Sequence, residues 1–158
     1  MSPTDPSDSA SDPHWGLPDP ETQAEFYADV PAKRLVAFVI DTVIVSLLTL
    51  IIIPFTLFTA LFYLPFLWLV VGLAYRIITL TNGSATPGMR LTGIEMRDSS
   101  GARFGLGLAA AHTILFAISM SMFFPQVASI ILMMTGERAK GLSDHILSTA
   151  AINRARKI

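Results

Sequence analysis

The chain has 158 residues, a mean hydropathy of +0.56, 52% hydrophobic residues and 15% charged ones, against roughly a quarter charged in an average globular domain. That is the length of one domain, with no room for a membrane part beside a separate catalytic one, and a soluble chain this apolar would struggle to cover its own surface. The absence of cysteine excludes disulfides and thiolate metal sites. The net charge of −1 hides an asymmetry: residues 1–32 hold seven acids and no Lys or Arg, while the rest holds all eleven basic residues against five acids, a net of +6.

Residues 1–29 read as an acidic, disordered tail. Met1 to Pro20 is mostly Ser, Asp and Pro around a lone Trp15 and Leu17, too polar to repay the entropy of ordering. It lacks the basic start, apolar run and cleavage site of a signal peptide. Glu21 to Asp29 reads as a short helix that sets Phe26 and Tyr27 at a membrane surface.

Thr42 to Tyr75 is 34 residues without a charge. One straight helix of that length would run about 50 Å, well past a hydrocarbon core of ~30 Å. With its flanks the segment holds two spans, Ala32–Phe55 and Phe62–Leu80, broken between Pro54 and Pro65 where proline interrupts the helix ladder. Backbone polar groups cannot be left bare in lipid, so both spans must be helical.

From Asn82 to Gly105 the character changes. Met89 to Arg97 partly alternates apolar and polar, Asp98-Ser99-Ser100-Gly101 is a turn signal, and Ala102-Arg103-Phe104 follows. This reads as a small β-hairpin at the membrane surface, with Ser148 to Ile152 as a third strand. Phe104 to Gly136, another 33 residues without charge, reads either as one span plus a surface helix or as two short helices turning near Ser119–Pro125. Ser143 is placed to cap a short helix running through Leu147, and residues 154–158 form a basic end.

Charge placement chooses between the two. None of the eleven cations falls in the presumed turns at 54–65 or 119–126. Basic residues near span ends mark the cytoplasmic side, so every cluster wants the same side and the number of crossings is even. The expected fold is an all-α membrane protein. It is a bundle of about four hydrophobic helices, two full spans plus a short helical hairpin, with a small cytoplasmic β-hairpin and both termini cytoplasmic.

Few side chains here can carry chemistry. Arg34 and Asp41 are seven residues apart, nearly two helical turns, so they share a face but sit about 10 Å apart along it, too far for a direct bridge. Their partners must come from elsewhere: Asp144 for Arg34, and Arg76, His112 or a hydroxyl for Asp41. An ionised acid two turns into a span costs ~2.5–3.5 kcal/mol at the membrane centre, so Asp41 reads as a paired structural acid, as part of an ion or proton pathway, or as an acid snorkelling to the interface. His112 is either a relay partner for Asp41 or a packed histidine bonded to a carbonyl. His145, beside Asp144, completes no metal set, and adjacent Ser143-Asp144-His145 cannot form a catalytic triad. No phosphate-binding loop is present, and Met120, Met122, Met133 and Met134 read as apolar filler. No cofactor, metal or nucleic-acid partner is expected.

Residues 30–153 resemble the RDD family of membrane proteins, named for one arginine and two aspartates. The resemblance rests on Arg34 and Asp41 in Pro-Ala-Lys-Arg-Leu-Val-Ala-Phe-Val-Ile-Asp, and on Asp144 in Gly-Leu-Ser-Asp-His. The segment Gly83-Ser-Ala-Thr-Pro-Gly-Met-Arg-Leu-Thr-Gly-Ile looks like the family's Thr-Pro-Gly segment, and the turn at Asp98–Gly101 falls where the family has one. Met89 departs from it, standing where the family usually has lysine. The resemblance implies a multi-pass bacterial inner-membrane protein of a family mostly without known function, for some members of which transport, including cation–proton exchange, has been suggested. Two functional expectations follow. One is a structural or accessory bundle with an Arg34, Asp41 and Asp144 polar network, meeting a membrane-protein partner or copies of itself in the bilayer. The other is a small cation or proton exchanger acting as an oligomer through Asp41. No catalytic set supports an enzyme.

Overall fold

The computed structural model describes residues 16–154. Helix α1 (Val30–Phe55) starts with Pro31 in its first turn, where proline's missing N–H costs nothing. Its buried positions Ala37, Asp41, Val45, Thr49 and Ile53 recur every fourth residue and form one inward stripe. The opposite face leaves Leu35, Val39, Val43, Leu47 and Leu50 more than half exposed, which suits lipid and not water. Leu57 and Phe58 at positive φ and a 3₁₀ turn at Thr59–Tyr63 reverse the chain. Helix α2 (Leu64–Gly83) then returns, with Gly72 facing Val45 of α1. The first span thus begins two residues before its expected limit and ends on it at Phe55, and the second begins two and ends three residues later than expected, with the break at Pro54–Pro65 as read. Thr42, Thr49, Thr79 and Thr81 return their hydroxyls to carbonyls four residues back, so threonine is tolerated inside the spans.

The expected surface hairpin is not formed. Pro87–Thr92 is instead a short helix, α3, because Thr86 caps it by accepting the Met89 N–H at 3.2 Å, Pro87 pre-sets its first turn, and Gly93 at φ 76° ends it. Strand β1 (Ile94–Arg97) follows. The Asp98 turn is present, with Asp98 Oδ1 accepting from the N–H groups of Ser100 and Ala102. Residues 102–104 make no strand, because the Phe104 N–H is taken by Ser84 Oγ at 2.7 Å at the end of α2. The partner of β1 is β2 (Ala150–Asn153), antiparallel, pairing Ile94 with Asn153 and Arg97 with Ala150. The sheet therefore has two strands and joins distant parts of the chain.

Helices α4 (Leu106–Ser121) and α5 (Phe123–Thr135) are bent from one another by 114° at Met122. The two ends of this pair are tied to α2 and α1: the Phe104 N–H donates to Ser84 at the end of α2, and the Ala139 carbonyl accepts from Arg34 near the start of α1 at 3.4 Å. Helix α6 (Leu142–Leu147) closes the set. Its cap is Gly141 and not Ser143, with the Asp144 carboxylate reaching back to the Gly141 N–H at 3.0 Å.

Of the residues 1–29 expected to be disordered, 16–29 are described and packed, while 1–15 lie outside the described ones, as do 155–158. Gly16 donates to the Ser99 carbonyl, and Leu17 and Tyr27 are buried against Ala150 and Ile152 of the sheet. Only Ala24–Phe26 is helical, as one 3₁₀ turn. Tyr27 thus faces the sheet and not a membrane surface, its hydroxyl donating to the Pro18 carbonyl at 2.8 Å. Asn153 fastens this segment to α1, accepting from Lys33 and donating to the carbonyls of Glu25 and Ala28.

Candidate functional site

Two buried carboxylates sit at the end of the bundle where α1 begins, α2 ends and the sheet lies. Asp144, wholly buried in the first turn of α6, is in ion contact with Arg34 of α1. It accepts from His112 Nε2 of α4 at 2.7 Å, from Thr149 Oγ1 at 3.2 Å and from the Gly141 N–H. An ionised carboxylate can only accept, which places the His112 proton on Nε2 and leaves Nδ1 without a partner among the described residues. Burial alone would raise the Asp144 pKa. The Arg34 charge and the hydrogen bonds from His112 and Arg34 outweigh that and hold the carboxyl well below its ordinary value of 3.8.

Asp41 forms a separate centre. Tyr75 of α2 donates to Oδ1 at 2.6 Å, Thr86 donates to Oδ2 at 2.5 Å, and the Gly88 N–H donates to Oδ1 at 2.9 Å. Three neutral donors from two elements therefore stabilise its charge. The Thr-Pro-Gly segment gains a physical meaning here. Thr86 both caps α3 and holds Asp41, Pro87 starts the helix, and Gly88 is glycine because a Cβ there would run into the Ala37 carbonyl and stand 2.8 Å from Asp41 Oδ1.

The structure separates residues that were expected together. Arg34 and Asp41 make no bond, as their spacing required. His112 serves Asp144 and not Asp41. Nor does Arg76 bond Asp41; it stacks on Phe116 with its guanidinium carbon 4.1 Å from the ring centre. His145, next to Asp144 on α6, is exposed. Tyr75, Thr149 and Gly88 were not singled out from the sequence, although the Thr-Pro-Gly segment and the polar end of the second span pointed near them. A third buried acid, Glu95 of β1, is flanked by Arg97 at 2.5 Å and Arg154 at 3.2 Å. Its burial would raise its pKa, but hydrogen bonds from Arg97 and the charges of both arginines bring it below the ordinary value.

A cavity of about 250 Å³ opens beside Asp41 between α1, α2 and α4, lined by Val45, Leu69, Leu73, Arg76, Thr113 and Phe116 among others. Among the described residues no group of three or more His, Asp or Glu gathers as a metal site.

Two helices long and apolar enough to cross a membrane, a bent apolar pair and buried carboxylates among them define a membrane-embedded helical protein. A model of the RDD family matches residues 29–148, and the chain belongs to that family. Searches of curated proteins and of solved structures found no match. The arginine and two aspartates of the family's name, taken as Arg34, Asp41 and Asp144, fall within the matched range and occupy two centres here, one an ion pair and the other held by neutral donors.

Proposed function

We propose that this chain is a structural or accessory protein of a bacterial inner membrane, in which two buried carboxylate centres lock the cytoplasmic end of a helix bundle. The observation that carries this reading is saturation: Asp41 and Asp144 each have both oxygens engaged by donors from other elements. Helices in lipid gain little from apolar contact with one another, so polar links of this kind supply cohesion and register. A cation carried by Asp41 would have to displace three good hydrogen bonds at each step, which weighs against the exchanger reading.

In the proposed topology α1 and α2 cross, while α4 and α5 enter and leave on the cytoplasmic side as a bent pair. Their 16 and 13 residues give about 24 and 20 Å of helix, short of a full crossing. The clustering of Lys33, Arg34, Arg90, Arg97, Arg103, Arg138 and Lys140 at one end supports that orientation.

The substitution Asp41→Asn tests the assignment. The expected outcome is lower membrane abundance and a lower melting temperature in detergent, with no change in ion flux in proteoliposomes at equal protein load. Normal abundance with lost cation or proton flux would overturn the reading in favour of exchange.

A further inference from the structure

Arg76 of α2 is a charged group that neither centre uses. Its Nε is buried without an acceptor, and no hydrogen bond to a described residue is formed by the rest of its guanidinium. The nearest acid cannot serve, since both Asp41 oxygens already accept from Tyr75, Thr86 and Gly88. Phe116 covers one face of the guanidinium. That contact engages the face alone and leaves the in-plane N–H donors, five in a guanidinium, without an acceptor among the described residues. Thr113, wholly buried on α4, likewise has a hydroxyl without a partner among the described residues. Both residues line the same cavity of about 250 Å³, whose remaining walls are mostly apolar: Phe38, Val45, Leu69, Leu73 and Phe116.

Unpartnered donors inside a membrane are expensive, and a charged one most of all. Donors converging on an apolar-walled cavity describe a binding site for a ligand with an oxygen-rich head and a hydrocarbon body. The planar fork of arginine matches a carboxylate or phosphate oxygen pair better than a single hydroxyl. We propose that the cavity between α1, α2 and α4 binds an oxyanion carried on an apolar chain, with Arg76 and Thr113 gripping the head and the chain running along α2 toward Trp68. Asp41 and Tyr75 line the same cavity, so the site borders the Asp41 centre, but the Asp41 oxygens are already taken by Tyr75, Thr86 and Gly88 and the grip comes from Arg76 and Thr113, which that centre does not use.

Trp68 lines the far part of the cavity, about 12 Å along α2 from Arg76, and reports on occupancy. The purified full chain carrying Trp15→Phe, so that Trp68 is its sole tryptophan, is titrated in mild detergent with three brominated quenchers: a terminally brominated medium-chain fatty acid, the matching alcohol, and a chain-brominated phosphatidylglycerol. Saturable quenching by at least one of the two anionic probes is expected, weakened about tenfold by Arg76→Gln, as fits loss of a charged hydrogen bond, and several-fold by Thr113→Val. The alcohol should quench weakly and equally in all variants. Saturation by the fatty acid alone marks a free acid as the ligand, and saturation by the phospholipid alone marks a lipid headgroup; either supports the site. Thr113→Val nearly conserves shape and stays informative if Arg76→Gln fails to fold. Quenching that is unsaturable, or equal for acid and alcohol, or unchanged in the folded variants, would overturn the proposal and leave water as the occupant. None of these outcomes bears on membrane abundance of Asp41→Asn, so the two readings fail independently.

Discussion

An aspartate inside an apolar bundle is stable only when its oxygens find donors, and the two here find different ones. Asp144 takes a cation and a histidine, whereas Asp41 takes two hydroxyls and a backbone N–H. Truncating one partner of a buried pair leaves the other charge uncompensated, so Asp144→Ala should cost about 3–5 kcal/mol. The pH dependence follows from the sign of the shift. Asp144 has its pKa lowered in the folded state, so its contribution is complete above the unfolded value near 3.8 and declines as pH falls below it. Thermal melting in detergent between pH 7 and pH 3 should show wild type losing stability below about pH 4, with a flatter profile for Asp144→Asn. Parallel profiles would contradict the assignment. At this scale the sequence was partly legible. Asp144 could be matched to Arg34 because few acids remain in the body of the chain. The partner of His112 could not be read, since a lone histidine among alanines does not reveal which acid folds over it. Tyr75 was hidden because a tyrosine near a span end reads equally well as an interfacial ring.

At the scale of elements, the docking of α3 on α1 turns on one missing methyl group. Gly88→Ala places a Cβ against the Ala37 carbonyl and 2.8 Å from Asp41 Oδ1, an overpacking that should cost about 1–3 kcal/mol. Gly107 in α4 is the control, because a Cβ there meets nothing within 4 Å. Gly107→Ala should be neutral or stabilising by up to ~1 kcal/mol through helix propensity. Melting temperatures of the two purified variants check both statements. The spans were legible because charge-free length is a coarse signal that tertiary contacts do not alter. The sheet was misread because alternation in Met89–Arg97 spans an element boundary: the cap at Thr86 and the stop at Gly93 divide it into a helical turn and a strand. Cap chemistry was the better guide there than alternation.

Across the whole molecule, polar chemistry gathers at one end and exposed apolar side chains cover the rest, among them Phe55, Phe62, Phe66, Phe123 and Phe124. The proposed topology predicts that reporters fused at Phe58 and at the C-terminus read opposite sides of the membrane. A reporter at Met122 should read neither side strongly if the α4–α5 pair stays within the bilayer, and the outer side if it crosses fully. A C-terminus on the outer side would exclude an even number of crossings. That proposed parity rests on the cations alone, whereas the 114° bend at Met122 could not be read from the sequence, since nothing in an unbroken apolar run fixes an angle. The pairing of β1 with β2 has one more consequence, for assembly in time. Arg97 ends one strand and Ala150 begins the other, and every residue of α4, α5 and α6 lies between them. At roughly 5–20 residues per second, a nascent chain waits several seconds with β1 unpaired before its partner emerges. The packing of Leu17 and Tyr27 on Ala150 and Ile152 must wait as long. Closure of the sheet is therefore a late event that can happen only after all the apolar helices have been made, so it reports that the bundle beneath it has been delivered in full.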